Sequence, residues 1–299
     1  MAKQSDAELM QILGVDRKTL DRFRHIQTQT IKQAKQTKSR FKKIKVIGIS
    51  GSARTDSDMA KEKSNSEALL EISLSACKKM GAEIEMISLR DYKIEHCKAC
   101  YSTVNTQCHH PCSCYPQGTP LADDMTNTLY DKVIGADAII FATPVNNFKI
   151  STLLAAFIDR CISLDGSLAP ADPNDPKNKE LNIKHMKYIE MTADQKVPGS
   201  GLYRRFLGKT AGIIVTGHEE GASMVISQLF MTLNHFGMVF PPFSNMYAMA
   251  NVCKSTNEDK PQVLSDCYKE EAELLARNVM TMAKQQKKGS EWVYDYRAN

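Results

Sequence analysis

Five cysteines fall within eighteen residues, in the run Cys97-x2-Cys100-x7-Cys108-x3-Cys112-x-Cys114, with His109, His110 and Pro111 inside it. The whole chain has nine cysteines in 299 residues, so chance alone would put about half a cysteine in such a window. Clustering of this kind argues for metal ligation or redox chemistry over structural disulfides. Three readings stand open. Four thiolates in one loop suit an iron–sulfur cluster, with Cys97, Cys100, Cys108 and one of Cys112 or Cys114 as ligands. Four Cys and His ligands could instead close on zinc. The pair Cys97-x2-Cys100 alone favours reactive thiols. The other cysteines, Cys77, Cys161, Cys253 and Cys267, stand in helical or apolar contexts and read as buried small hydrophobes.

A second group of residues could bind an anion. Gly51-Ser52-Ala53-Arg54 follows the apolar run KVIGIS, and Ser64-Asn65-Ser66 opens a helical stretch. Backbone N–H groups at a helix start, hydroxyls and one guanidinium would converge where a phosphate sits. The pattern is neither GxxxxGK[ST] nor GxGxxG. A capping box of Ser64 with Glu67 is the plainer reading, but it leaves Ser52 and Arg54 unexplained.

These residues must be positioned by the elements around them. Short β-branched runs alternate with helical stretches from Lys45 onward, as in a parallel sheet with crossover helices. The expected strands are Lys45–Ser50, Ile84–Ser88, Ala138–Thr143, Thr210–Thr216 and a short Met238–Phe240. The expected helices are Ser66–Met80, Asp123–Ile134, Ser151–Leu164, Gly221–Phe236 and Asp266–Lys287. Two irregular insertions interrupt the rhythm: 89–122, which holds the cysteines, and 165–209, which is rich in Pro, Asn and Lys and could fold over as a lid.

Before the sheet, residues 1–43 read as a basic helical arm. Asp6 is expected to cap a helix that ends at Gly14, and Asp16 a longer one running to about Arg40. The arm holds eleven Lys/Arg and four Asp/Glu, against 28 and 30 in the rest of the chain. The basic character thus belongs to the arm, which weakens a nucleic-acid reading of the whole. Residues 44–288 form the expected main domain and 289–299 a tail. The longest apolar run, Leu153–Ile158, has six residues, far below the roughly 18 a membrane span needs. The opening MAKQSDAELMQ has no apolar signal core. The expectation is a soluble cytoplasmic protein.

GSAR…SNSEALL, Cys97-Lys98-Ala99-Cys100, Ala142-Thr143-Pro144-Val145-Asn146-Asn147 and Phe157-Ile158-Asp159-Arg160 together resemble the flavodoxin-like NAD(P)H-dependent FMN reductases, iron–sulfur flavoproteins in particular. The resemblance covers about residues 44–240. It implies an α/β fold, a flavodoxin-like doubly wound five-stranded parallel sheet carrying the N-terminal arm. It also implies FMN, with the phosphate at Ser52, Arg54, Asn65 and Ser66, flanked by Ser50 and Ser64. The isoalloxazine would then lie on Pro144, Val145, Asn146 and Asn147 and on Thr216, Gly217 and His218. Asp159 and Arg160 are expected in a structural or subunit ion pair. The loop Thr55–Lys63 is longer than the family's turn, Asn146 stands where an aromatic residue is frequent, and only the first cysteine pair keeps the family's spacing. The implied activity moves electrons from NAD(P)H or a protein donor such as ferredoxin, through flavin and a [4Fe–4S] cluster, to a quinone or another small acceptor. A homo-oligomer is expected. The alternatives are a non-enzymatic flavin/Fe–S electron carrier and a redox-sensing binding module.

Overall fold

In the computed structural model, residues 4–37, 43–59, 61–102, 108–194, 196–217, 221–250 and 255–289 are described. Five parallel strands form one sheet: β1 (Lys45–Ser50), β2 (Glu83–Ser88), β3 (Ala138–Pro144), β4 (Thr210–Gly217) and β5 (Asn245–Met249). Their order is β2-β1-β3-β4-β5. This is the flavodoxin-like doubly wound order, whose switch point lies between β1 and β3. The register sets Ser50 beside Ala142 and Pro144 beside Thr216. The carboxyl ends of β1, β3 and β4 are thereby brought level.

Alternation along each strand builds two apolar layers. Val46, Ile140 and Ile214 face α3 (Asn65–Lys79) and α9 (Asp266–Lys288), where Leu70, Leu74, Leu275 and Val279 cover them. Ile47, Ile49, Phe141, Ile213 and Val215 face α4 (Tyr130–Gly135), α5 (Thr152–Arg160) and α7 (Ala222–His235). β3 is buried on both sides, as its unbroken apolar run requires. Each fully buried Leu or Ile contributes about 1.5–3 kcal/mol. Among the described residues no helix is long and apolar enough to cross a membrane.

Several elements differ from the sequence expectation. The fifth strand is Asn245–Met249, not Met238–Phe240; Val239 makes only an isolated bridge to Thr210. The helix expected over Asp123–Ile134 begins as a π-turn, Met125–Leu129, before α4, and α5 tightens into a 3-10 turn at Cys161–Leu164. A further helix, α8 (Thr256–Val263), carries Pro261 inside it and lies between β5 and α9.

The arm consists of α1 (Asp6–Leu13) and α2 (Arg17–Thr37). Ser5, not Asp6, caps α1, in a reciprocal capping box with Glu8, while Gly14 ends it in the left-handed conformation. Asp16 accepts from the Thr19 N–H at 2.8 Å at the start of α2. The 165–209 insertion is not wholly irregular, because it contains α6 (Lys179–Thr192). Arm and insertion share a core: Leu9, Leu13, Leu20 and Phe23 pack on Leu168, Ala171, Tyr188 and Ile189. Phe23 stacks on His185 with ring centroids 4.7 Å apart, and Gln27 donates to the Ser200 carbonyl at 2.7 Å.

Candidate flavin cleft and thiol cluster

The turn after β1 is built by local hydrogen bonds. Ser50 Oγ accepts from the Ser52 N–H at 3.3 Å, and Ser52 Oγ accepts from the Arg54 N–H at 3.2 Å. Gly51 is required at its position: a Cβ there would stand 2.7 Å from Ser151 Oγ and 2.8 Å from Leu154 Cβ. Ser64 caps α3, its Oγ accepting from the Glu67 N–H at 3.3 Å and lying 3.0 Å from Ser66 Oγ. The reciprocal half of a capping box is missing. The Glu67 carboxylate turns to Ser88 and to Arg90, whose Nη1 donates at 2.8 and 2.9 Å. The α3 N-terminus therefore keeps first-turn N–H groups without an intrahelical partner.

These residues open onto a cleft of about 320 Å³, within the size range of small-molecule sites. Ser52, Ala53, Arg54, Ser64 and Asn65 line it together with Pro144, Val145, Asn146, Thr216 and Gly217. The buried Asn65 Oδ1 has no hydrogen-bond partner, so a ligand with polar groups would satisfy it. The Val145 N–H is already used, donating to the Thr216 carbonyl at 2.9 Å. Asn146 and Lys149 exchange backbone hydrogen bonds at 2.9 and 3.1 Å, closing a tight turn with Asn147 and Phe148 at positive φ. Gly221 permits that turn to sit down, since a Cβ there would lie 2.7 Å from Phe148 Cα.

Ser50, Ser66 and Asn147 do not line the cleft: Ser50 and Ser66 are buried beneath it, and Asn147 faces solvent. His218 lies outside the described residues. Sequence reasoning missed Asp259 and Val263, which α8 brings to the wall, and Ala250 after β5. Pro261 hid α8, because a proline within eight residues reads as a break.

The cysteine loop is fastened at both stems. Asp123 accepts from the Glu95 N–H at 2.9 Å, Arg160 Nη1 donates to the Glu95 carbonyl at 2.9 Å, and the Tyr115 hydroxyl donates to the His96 carbonyl at 2.7 Å. Arg160 lies 4.3 Å over the Tyr115 ring. Further along, Ser163 Oγ donates to the His109 carbonyl at 2.7 Å, and the His110 N–H donates to the Leu168 carbonyl at 3.0 Å. Asp123 and Arg160 form a buried ion pair. Asp159 takes no part in it.

Within the loop, Cys108 and Cys112 are buried and Cys97, Cys100 and Cys114 half-buried. Cys100, Cys108, Cys112 and Cys114 lie near enough to shift one another's thiols. The contact with Cys100 holds Cys108 below the usual thiol range, and the same contact pushes Cys100 up to about 11. Cys112 is pushed up by Cys114 and by burial. The donor set is the one thiolate-ligated centres use. Among the described residues, no three Cys, His, Asp or Glu side chains converge around one point as a single metal ion requires. Cys77 and Cys161 are buried as expected, whereas Cys267 is exposed and Cys253 lies outside the described residues.

The model of the NADPH-dependent FMN reductase family matches residues 44–186, which include the phosphate turn, α3, the cysteine loop and β3. Over these residues, just under half of its length, the chain is similar to the FMN reductase family. Among curated proteins, this chain is 31% identical over 117 residues to an iron–sulfur flavoprotein of Archaeoglobus fulgidus, covering 39% of this chain and 48% of that protein. It is 29% identical over 121 residues to an iron–sulfur flavoprotein of Methanosarcina thermophila, covering 40% and 54%. The matched stretch thus spans about half the length of these relatives. Among solved structures, RosB with a bound flavin-derived intermediate superposes with a TM-score of 0.58 at 16% identity, over 86% of this chain and 91% of that one. That likeness shows the flavodoxin-like fold.

Proposed function

We propose that the chain binds FMN in the cleft at the carboxyl ends of β1, β3 and β4 and acts as a flavin-dependent oxidoreductase. One observation carries this reading. Hydroxyls, a buried amide whose oxygen has no partner, a guanidinium and a helix N-terminus share a single cleft with the loops after β3 and β4. Ser52, Ser64, Asn65 and Arg54 would hold the phosphate. Pro144–Asn146 and Thr216–Gly217 would flank the ring, and their backbone groups would tune it. When bound there, FMN supplies the hydride and single-electron chemistry, so the protein needs no strong acid–base pair of its own. The electron donor in this reading is NAD(P)H or a ferredoxin-like protein, and the acceptor is a quinone or another small molecule.

The cysteine loop supports a second redox centre, an iron–sulfur cluster held by Cys97, Cys100, Cys108 and one of Cys112 or Cys114. The thiols gathered in one loop favour it, as does the likeness to proteins named iron–sulfur flavoproteins. A second reading, redox-active thiols without metal, is favoured by the Cys100–Cys108 contact that depresses one thiol. An anaerobic visible spectrum, with iron, zinc and acid-labile sulfide assayed on the same sample, separates these readings. Flavin bands with about four irons per chain support the cluster, and flavin bands without metal support redox thiols. Absence of flavin binding overturns the proposal. Steady oxidation of NAD(P)H with a quinone separates an enzyme from an electron carrier.

A further inference from the structure

The cationic group of the proposed phosphate site is already engaged. Arg54 Nη1 lies 2.7 Å from Glu62 Oε2, with side chains 44% and 15% exposed. Glu62 comes from the long Thr55–Lys63 segment, in which Asp58 holds the Thr55 and Lys61 backbone. Its carboxylate accepts from the Thr55 N–H at 2.7 Å and from the Lys61 N–H at 3.1 Å. The added length therefore delivers a carboxylate onto the arginine that flanks the cleft.

The charge balance follows. Among the described residues lining the cleft, Arg54 and Asp259 are the charged ones. With Glu62 on Arg54 the guanidinium charge is matched, which leaves Asp259 as the uncompensated charge among those lining residues. A phosphate monoester brings a further charge of about −1.5 to −2 at neutral pH. The long-range attraction a lone arginine would exert on it is cancelled by Glu62. Apart from this contested guanidinium, the groups left to hold a phosphate are neutral: the Ser52 and Ser64 hydroxyls, the Asn65 amide and the α3 N–H groups.

We infer that Glu62 is a specificity-determining residue that keeps the phosphate site weak, so that FMN is an exchangeable ligand of this cleft and not a permanently held group. This inference rests on the FMN reading above. Glu62 competes with the phosphate for one guanidinium and repels it once displaced. Flavin that is free to leave matches a protein that takes up FMN and releases the reduced form.

The test is an equilibrium titration of the full chain and of Glu62→Gln with FMN and with riboflavin, read by flavin fluorescence, together with the FMN release rate by stopped flow. Gln keeps the shape and removes the charge on a surface loop. The expected result is FMN binding about fivefold tighter in Glu62→Gln, the effect of one partly exposed charge pair, with slower release and unchanged riboflavin affinity. Unchanged or weaker FMN binding overturns the inference, the latter showing that Glu62 positions Arg54 for the ligand. Equal tightening for riboflavin overturns it as well, because the effect would not be read through the phosphate. If the unaltered chain binds neither flavin, the FMN reading itself fails, and the inference fails with it.

Discussion

The Arg160 guanidinium and the Asp123 carboxylate meet in a dry interior, their side chains 1% and 0% exposed, with Nη2 donating to Oδ1 at 3.2 Å. The pair ties the helix that follows β3 to the end of the cysteine loop. Through the Glu95 carbonyl and N–H it also reaches the loop's beginning. Breaking such a pair leaves one charge buried and uncompensated. Asp123→Asn or Arg160→Met is expected to cost about 3–5 kcal/mol, and the double variant less than the sum. Urea denaturation checks this. A single variant with an unshifted midpoint would show that the pair does not secure the loop.

The same carboxylate has a pH signature. Burial pushes Asp123 up, but the Arg160 hydrogen bond and the Glu95 N–H outweigh it and hold the group below the usual carboxylate range. A depressed native value means the stabilisation is complete above the unfolded value of about 4 and is lost as pH falls through the native one. Melting temperatures of the native chain and Asp123→Asn should therefore converge below pH 4. Parallel curves across that range would contradict the assignment.

Arg54→Ala tests the phosphate end of the cleft. Loss of a charge-assisted bond, with Glu62 left unpaired beside the ligand, is expected to weaken FMN at least tenfold, taking about 1.5 kcal/mol or more for a hydrogen bond to a charged group. Riboflavin should be affected far less. Equal losses for the two flavins would place the phosphate elsewhere.

Gly221→Ala tests the turn after β3. The added methyl meets the Phe148 backbone at 2.7 Å and Val145 Cγ1 at 3.1 Å, so the Val145–Phe148 turn must shift. Flavin affinity should fall while α7, whose first residue follows Gly221, stays folded. Circular dichroism and flavin titration on one sample decide it, and intact affinity would show that the turn does not touch the ligand.

Much of this architecture was legible because strands buried on both faces announce themselves. Ala138–Thr143 and Thr210–Thr216 are apolar runs no other arrangement would accommodate, and Ser64–Asn65–Ser66 is a helix start by its chemistry. What stayed hidden depends on distant partners. β5 reads NMYAM, with buried Met246 and Ala248 alternating with exposed Tyr247, and only its pairing with β4 makes it a strand. The carboxylate on Arg54 was equally invisible, since seven residues of loop separate the two and nothing in their types requires them to meet. The helix starting at Asp16 was readable, but its partner, α6, lay in a segment whose Pro and Asn content disguised it.

His185 gives the docked arm its own pH dependence. Burial, helped by His109, lowers it to about 4. Between pH 6.5 and 4 the unfolded chain holds a proton the native one does not, so stability falls progressively through that window. His185→Phe, which keeps a ring against Phe23, should flatten the difference between melting temperatures at pH 7 and pH 5. An unchanged difference would show that the ring is not neutral in the native chain.

The union of the arm with α6 also bears on the order in which the chain assembles. Gln27 and Tyr188 touch across 161 positions of sequence, and β1, β2 and β3 all lie between them. A loop of that length is costly to close from an open chain. Once the three strands are paired, most of that span is already folded up, and the two helical segments have only a short distance left to search. A paired sheet thus lowers the entropy cost of joining arm to insertion, relative to closing the same span from an open chain.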